Sequence, residues 1–357
     1  MLSLWCLMGS IQHFLNQPRY RPWSQWEERL ESVPSAWTRE LLGTSEEGRP
    51  LWAFTLGNGP ITRLAWAQMH GNEPTATRAL LRIMNETKSL PDGESWTFLP
   101  LVNPDGAQHF TRANALGVDI NRDAKERLSR EARILWDWIQ RHQPKVAYNL
   151  HDQRSWFGIP NSNRPATFSV LAARANPEGS TTPAVRAAQG AAGDLAHVFS
   201  DLSGLQTTTF DDSFYLGAFG ENVQASGIPV VLVETGSHFS GYDRTQQVDW
   251  LTDGLLRHWT FPQDRGEYYR SLEQADSGRF DVVLTSTDPT DPTDWAFIAS
   301  ETVEEGVSVL FWELVAVGNG LAQKAPFAME RGTSPAVSIG DRWEDLSSLM
   351  QQPDSLF

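Results

Sequence analysis

Apolar residues along the first 260 positions follow two patterns that alternate along the chain. Short, nearly continuous apolar runs are typical of buried strands, whereas apolar residues spaced three and four positions apart are typical of amphipathic helices. The runs predict strands at residues 49–57, 62–70, 95–104, 145–152 and 228–236. The helical spacing predicts helices at residues 17–43, 74–85, 125–142 and 246–259.

This alternation of strands and helices indicates an α/β fold. We expect a mixed, mostly parallel twisted sheet that is covered by helices on both faces. From about residue 276 onward the pattern changes to strand-like runs at residues 280–286, 294–300 and 307–318, with the turn-rich spacer "TDPTDPTD" before the second. The sequence therefore predicts a main domain over residues 1–265 and a small β-rich C-terminal appendage over residues 276–357.

Charge and cysteine content narrow the function classes. The 357 residues include 44 acidic and 29 basic side chains, a formal net charge of −15. Such a surface repels phosphate backbones and anionic lipids, so we expect neither nucleic acid nor a membrane as a partner. Because Cys6 is the single cysteine, no internal disulfide can form, which favours a reducing, cytoplasmic location. The N-terminal apolar run, residues 1–14, is too short to span a bilayer.

Polar side chains capable of chemistry follow four of the predicted strands where each one ends. They are His70, Asn103 with Asp105, His151 and Glu234. In open α/β sheets, ligands bind in the crevice beyond the carboxyl ends of the strands. The sequence therefore predicts a functional site at this edge of the sheet.

Two of these strand ends predict a metal site. His70 and Glu73 lie three residues apart at a strand-to-helix corner, and Pro74 suits the first turn of the helix that follows. Imidazole and carboxylate groups ligate zinc, and His151 would complete the His₂Glu set that catalytic zinc sites use. A surface ion pair is the alternative for His70 and Glu73 taken alone. With His151, they predict one zinc ion per chain.

Glu234 ends a run that is too apolar to hold a carboxylate for packing reasons alone. It could act as a general base that takes a proton from water, or it could form a salt bridge or a cap at the sheet edge.

The segment "TRANALGVDINRD" supplies two arginines to an acidic chain. Arg122 beside Asn121 could bind a substrate carboxylate, because guanidinium pairs with it bidentately. Arg112 could stabilise an oxyanion, and Asp119 could orient a ligating histidine. The alternative for each of these residues is a solvated loop.

Several motifs occur together in one order along the chain: "HGNE", "NPDG", "RxNxxGVDINRD", "NLHD" and "LVETG". This combination closely resembles the zinc carboxypeptidase family over roughly residues 60–260. Within that family the chain looks more like the bacterial branches, since the interval between Glu73 and His151 is compact, no pro-segment is evident and disulfides are absent. The resemblance implies a metallocarboxypeptidase that hydrolyses an amide bond next to a free carboxylate, using zinc-activated water and a glutamate base.

The same resemblance implies roles for individual residues. It implies zinc ligation by His70, Glu73 and His151, general-base catalysis by Glu234, carbonyl polarisation by Arg112, carboxylate anchoring by Asn121 and Arg122, and support of His70 by Asp119.

The family's mobile active-site tyrosine has no secure match in this sequence. Tyr215 is the first candidate and Tyr242 the second. Asp211 and Asp212, close to Tyr215, could favour a basic substrate side chain or simply cap a loop.

Other functions stay open at this point. A deacylase of N-acyl amino acids, from the related desuccinylase and aspartoacylase branch, would share the zinc ligands and the anchor. An amidase acting on cell-wall peptides would place a diaminopimelate carboxylate at the anchor. A catalytically inactive binding module is disfavoured, since the motifs lack neither Glu234 nor a zinc ligand. The expected partner is therefore a peptide or N-acyl amino acid with a free carboxylate.

Overall fold

The structure is a computed structural model, and it describes residues 14–15, 17–153, 157–238, 240–286, 288, 290–331 and 337–350. Most of the N-terminal apolar run, including Cys6, lies outside these residues. Within them, no helix is both long enough and apolar enough to cross a bilayer.

A mixed sheet forms the centre of the main part of the chain. Its strands are β1 (Thr38–Thr44), β2 (Pro50–Gly57), β3 (Ile61–Ala67), β4 (Ser95–Leu99), β5 (Ala147–Asp152), β6 (Phe168–Ala172), β7 (Thr208–Thr209) and β8 (Val230–Thr235). Their order across the sheet is β1-β2-β4-β3-β5-β8-β6-β7. The central strands β4, β3, β5 and β8 run parallel, whereas β1 and β2 on one side and β6 on the other pair antiparallel.

Helices cover both faces of this sheet. They are α1 (Trp23–Glu31), α2 (Thr75–Glu86), α3 (Pro104–His109), α4 (Arg130–His142), α5 (Pro183–Ser203), α6 (Phe219–Ala225), α7 (Thr245–Thr260) and α8 (Gly266–Ser271). In β3, Leu64 and Trp66 belong to the core that includes α4 and α6, while Ala65 and Ala67 belong to the core that includes α2, α5 and α7. Burial on both faces explains the nearly continuous apolar run, and the predicted α/β class is confirmed.

A second, smaller sheet follows at the C-terminal end. Its strands are β9 (Val282–Thr285), β10 (Asp294–Glu304), β11 (Val307–Gly318), β12 (Phe327–Glu330) and β13 (Arg342–Trp343), in the order β12-β9-β10-β11-β13. Phe297, Trp312 and Leu314 lie in its own apolar core. The β-rich C-terminal appendage is therefore confirmed, whereas the domain limits at residues 265 and 276 stay predictions.

Two local expectations were wrong. Residues 17–43 do not form one helix, because α1 ends at Glu31 and residues 38–44 pair with β2 as strand β1. The 125–142 helix begins only at Arg130, where the Ser129 side chain caps it by accepting a hydrogen bond from the Ala132 N–H. Leu128 consequently stays 66% exposed instead of packing on the helix face.

Candidate active site

Two neighbouring parallel strands bring the predicted metal ligands together. β3 and β5 pair side by side, so the chain beyond Ala67 and the end of β5 meet at one edge of the sheet. His70 Nδ1 lies 2.8 Å from Glu73 Oε1, and His151 Nδ1 lies 2.8 Å from Glu73 Oε2. The two Nδ1 atoms are 3.2 Å apart. The three side chains form a group whose ligand atoms all lie within 4.8 Å of one another.

This group fits a zinc ion. All three side chains are buried, and two imidazole nitrogens at van der Waals distance converge on one carboxylate, an arrangement that requires a proton or a cation between them. Nitrogen and oxygen donors without a thiolate are a ligand set that catalytic zinc uses. The corner that carries His70 and Glu73 also packs very closely, because a Cβ on Gly71 would lie 1.9 Å from the backbone of Gly106. Only glycine permits this approach.

Charges around the group favour a cation. Burial by itself lowers the pKa of His70, but the Glu73 charge and the hydrogen bond with Asp119 outweigh burial and raise it to about 9. Burial raises the pKa of Glu73, yet His70 and His151 outweigh that effect and hold it well below its ordinary value. Glu73 is therefore an ionised ligand candidate, and its negative charge favours a cation beside it.

Asp119 contacts the edge of the His70 ring that faces away from Glu73. Its Oδ1 lies 3.0 Å from His70 Nε2, the ring nitrogen that points away from Glu73, and the same oxygen accepts a hydrogen bond from the Asn121 N–H at 2.9 Å. Its Oδ2 accepts from Arg112 Nε at 2.9 Å. This one carboxylate thus orients a ligand candidate, an arginine and the short 3₁₀ turn Ile120–Arg122.

Glu234 lies beside the group. It is the Cα partner of His151 across β5 and β8, and it is only 9% exposed. Burial, followed by the charge of Glu73, raises the pKa of Glu234 well above its ordinary value. A carboxyl group with a raised pKa can both accept and return a proton.

Arg112 reaches the group from a loop, and Arg122 lies in the 3₁₀ turn Ile120–Arg122. Arg112 Nη1 lies 3.6 Å from Glu73 Oε1 and 3.2 Å from His70 Nδ1. The Arg122 guanidinium lies over the Tyr215 ring, 4.6 Å from its centroid. Asn121 Oδ1 accepts a hydrogen bond from the Phe219 N–H at 3.1 Å, which fixes the loop against α6.

Most of the predicted site residues line one cavity of about 330 Å³, which we call the active-site cavity. They are His70, Glu73, Arg112, Asn121, Arg122, Tyr215 and Glu234. His151 and Asp119 join the group through their contacts with Glu73 and His70. The lining of this cavity can hold a cation and a substrate carboxylate close to a carboxyl group that carries a proton.

The two tyrosine candidates lie in different places. Tyr215 lines the active-site cavity and is 44% exposed, whereas Tyr242 is packed against Arg19 outside that cavity. Of the two neighbouring carboxylates, Asp212 accepts a hydrogen bond from Arg174 at 2.7 Å, and Asp211 accepts from the backbone and hydroxyl of Ser213. Asp212 is thus paired with Arg174, whereas Asp211 bonds within its own loop and also lines the active-site cavity.

The polar side chains in the cavity wall that sequence reasoning missed include Arg19, Asn72 and Asp152. Asn72 lies inside "HGNE" and Asp152 directly follows His151, so their positions beside ligand candidates could have singled them out. Asp152 Oδ2 accepts hydrogen bonds from Thr75 Oγ1 at 2.7 Å and from Arg19. The sequence around Arg19 contains no motif that indicates a functional role, because only tertiary packing brings this residue to the site.

The chain is similar to several known proteins. A family model described as zinc carboxypeptidase matches residues 24–209. Carboxypeptidase D of Drosophila melanogaster is 26% identical over 237 residues, 53% of this chain and 16% of the relative. Carboxypeptidase 2 of Trichophyton tonsurans is 28% identical over 128 residues, 30% of this chain and 23% of the relative. The matches thus span less than a quarter of the length of these two relatives.

Solved structures share the fold at low identity. The metallo-carboxypeptidase from Burkholderia cenocepacia has a TM-score of 0.53 and 16% identity, over 68% of this chain and 70% of that one. Bovine thrombin-activatable fibrinolysis inhibitor, solved with tick carboxypeptidase inhibitor, has a TM-score of 0.52 and 14% identity, over 66% of this chain and 95% of that one.

Proposed function

Because the chain belongs to the zinc carboxypeptidase family, we propose that it is a zinc-dependent metallocarboxypeptidase that cleaves the amide bond next to a free C-terminal carboxylate. One observation carries this proposal: His70, Glu73 and His151 converge at the carboxyl edge of the sheet, with Glu234 beside them and Arg122 in the same cavity. That combination provides a metal site, a proton carrier and a carboxylate anchor within one substrate-sized space.

Zinc would be held by the Nδ1 atoms of His70 and His151 and by the Glu73 carboxylate. When bound, zinc supplies Lewis acidity, which polarises a carbonyl and makes water a stronger nucleophile near neutral pH. Asp119 keeps the His70 ring oriented and its outer nitrogen paired.

Glu234 moves the proton. As a carboxylate it takes a proton from the attacking water, and as a carboxylic acid it gives that proton to the leaving nitrogen. The proton that water loses thus ends on the amine product, and Glu234 returns to its starting state. Its raised pKa suits both halves of this exchange.

Arg112 and Arg122 act on two different groups of the substrate, the carbonyl of the cleaved bond and the C-terminal carboxylate. The Arg112 guanidinium, tethered by Asp119, can donate a hydrogen bond to the oxygen on which negative charge develops. Arg122 pairs with the terminal carboxylate, and Asn121 beside it adds an amide donor. The Tyr215 ring packs against Arg122 and forms part of this anchor.

A direct test is metal analysis of protein purified without added zinc, followed by assays of three substrate sets. We expect about one zinc per chain, which the single His₂Glu group can hold, and release of C-terminal amino acids from peptides. Peptides with an amidated C-terminus serve as the control and should resist cleavage, because Arg122 then has no carboxylate to bind.

Other outcomes would replace the proposal. Turnover of N-acetyl or N-succinyl amino acids without turnover of peptides would identify a deacylase. Turnover of cell-wall peptides alone would identify an amidase. Zinc-loaded protein that cleaves none of these substrates would identify a binding module.

A further inference from the structure

Asp152, the residue after the ligand candidate His151, contacts the part of the chain that carries Glu73. Its backbone N–H donates a hydrogen bond to Glu73 Oε2 at 3.2 Å. Its Oδ2 accepts hydrogen bonds from the hydroxyl of Thr75 at 2.7 Å and from the N–H of the same residue at 3.3 Å. Thr75 is the first residue of α2 and lies two positions after Glu73. Asp152 therefore holds Glu73 both at its carboxylate and through the start of the helix that follows it.

The Asp152 carboxylate is itself held by two arginines. The Arg19 guanidinium donates to Oδ2, and Arg244 Nη1 lies 3.6 Å from the same oxygen. All three side chains are buried. An unpaired charge away from water is costly, and removing one partner of a buried ion pair leaves such a charge behind. The position of the Asp152 side chain therefore depends on both arginines.

Arg244, which directly precedes α7, fastens two strands of the main sheet. Its Nη2 donates to the carbonyl of Gln153 at 2.6 Å, and its Nη1 donates to the carbonyl of Thr235 at 2.5 Å. These carbonyls lie two residues after His151 and one residue after Glu234. Arg244 has φ 56° and ψ 29°, a left-handed conformation that a non-glycine residue keeps only where the surrounding contacts outweigh its cost. Arg244 is thus part of the framework that holds the metal-ligand group and the proposed proton carrier together.

Arg19, in contrast, comes from outside the main sheet and is held by the C-terminal sheet. Glu301 of β10 accepts hydrogen bonds from the Arg19 N–H at 2.9 Å and from the Tyr20 N–H at 3.0 Å. Phe14, a little earlier in the chain, lies in the apolar core of the C-terminal sheet, where its ring stacks on Trp312. The C-terminal sheet thus fixes the backbone from which the Arg19 side chain reaches the active site.

We infer that Arg19 is a positioning residue for the zinc site, and that the C-terminal sheet takes part in the active site by holding it. The Arg19 side chain fixes Asp152, and Asp152 fixes the ligand candidate Glu73, so that Glu73 is already oriented before a metal ion binds. This inference rests on the proposed zinc-dependent function. It adds to that function a residue outside the motifs quoted above and a role for the C-terminal appendage.

The test measures the zinc dissociation constant of the metal-free protein by competition with a chelator. Arg19→Ala removes the donor to Asp152, so the dissociation constant should rise about 10–100-fold, the usual effect of losing a group that supports a metal ligand. Arg19→Lys keeps the positive charge and can donate to Asp152, so the dissociation constant should rise less than in Arg19→Ala. Thermal unfolding followed by circular dichroism verifies that each variant is folded.

Asp152→Asn and Asp194→Asn form a matched pair. Asp194 is also buried, and it bonds His258 at 2.6 Å and Arg265 at 3.2 Å, away from the lining of the active-site cavity. Each substitution removes one buried charge, so both should lower the midpoint of thermal unfolding. Only Asp152→Asn should raise the zinc dissociation constant, by about tenfold or more. It should also shift the visible absorption bands of the Co²⁺-loaded protein, which depend on ligand geometry.

A double-mutant cycle measures the part played by the C-terminal sheet. Glu301→Gln weakens the contact that holds the Arg19 backbone, and it should raise the zinc dissociation constant by less than Arg19→Ala does. Because Glu301 acts through Arg19, the same substitution should have no further effect in the Arg19→Ala background. Glu330→Gln, at an exposed position of β12, is the matched control and should keep the wild-type affinity.

The outcomes distinguish this inference from the proposed function. An unchanged zinc dissociation constant in folded Arg19→Ala, or equal increases in Asp152→Asn and Asp194→Asn, would overturn the inference and leave the carboxypeptidase function intact. No effect of Glu301→Gln by itself, or its full effect in the Arg19→Ala background, would overturn the role of the C-terminal sheet. Wild-type protein that binds no zinc would overturn the proposed function, and the inference with it.

Discussion

His151 on β5 and Glu234 on β8 are Cα partners across two neighbouring parallel strands. Partners in such a pair direct their side chains to the same face of the sheet, so a ligand candidate and the proposed proton carrier leave it side by side. Backbone register between two neighbouring strands, rather than a loop, therefore sets the spacing between the ligand candidate and the proposed proton carrier.

Replacing Glu234 by glutamine tests the proton-transfer role. The amide keeps the size of the side chain but cannot take a proton, so kcat should fall by about 10²–10⁴-fold while the zinc content stays unchanged. Steady-state kinetics and metal analysis on the same preparation measure both quantities. Glu178→Gln, on an exposed loop, should match the wild type. Near-normal turnover in Glu234→Gln would rule out this mechanism.

The pH profile of kcat/KM provides a second measurement on the same residue. Burial and the Glu73 charge raise the pKa of Glu234 above its ordinary value of 4.5. Only the deprotonated form accepts a proton from water, so activity should fall as the pH decreases through this raised pKa. The acidic limb should therefore lie above pH 4.5, and it should be missing from the residual activity of Glu234→Gln. A limb at or below that value would contradict the assignment.

Asp119→Asn tests how His70 is oriented. The amide can pair with His70 Nε2 only as a neutral group, so we expect zinc affinity to fall by about 10–100-fold. Competition with a chelator of known affinity measures this change. Asp253→Asn, on the exposed side of α7, removes one negative charge elsewhere and should retain wild-type affinity. Equal affinities in the two variants would show that Asp119 does not support the metal site.

Arg122→Ala tests the carboxylate anchor. Losing a charged hydrogen-bond donor costs about 1.5–3 kcal/mol, which corresponds to a roughly ten- to hundredfold higher KM for peptides with a free carboxylate. The increase in KM should be much smaller for amidated peptides, which have no carboxylate for Arg122 to bind. Arg270→Ala, on the exposed surface of α8, is the matched control. If both peptide types lost activity equally in Arg122→Ala, the anchor would have to lie elsewhere.

Some expectations stay predictions because the fold does not bear on them. These expectations are a cytoplasmic location, a stoichiometry of one zinc ion per chain and the individual roles of the site residues. The experiments above address the zinc and the residue roles directly.

Local sequence pattern by itself determined the central strands, the helices α2, α4 and α7, and the strand ends at which His70, His151 and Glu234 lie. A strand that is buried on both faces needs a continuous apolar run, so a polar residue at its end stands out without knowledge of the tertiary structure. The predicted α/β class followed from the same runs.

Tertiary structure alone decided the features that depend on contacts between distant segments. Residues 38–44 became a strand because β2 pairs with them, and Arg19 reached the site because Glu301 and Asp152 hold it there. A cavity of about 350 Å³ likewise exists only where the C-terminal sheet meets the main part of the chain. Such contacts join residues far apart in the chain, and neither periodicity nor spacing along the sequence records them.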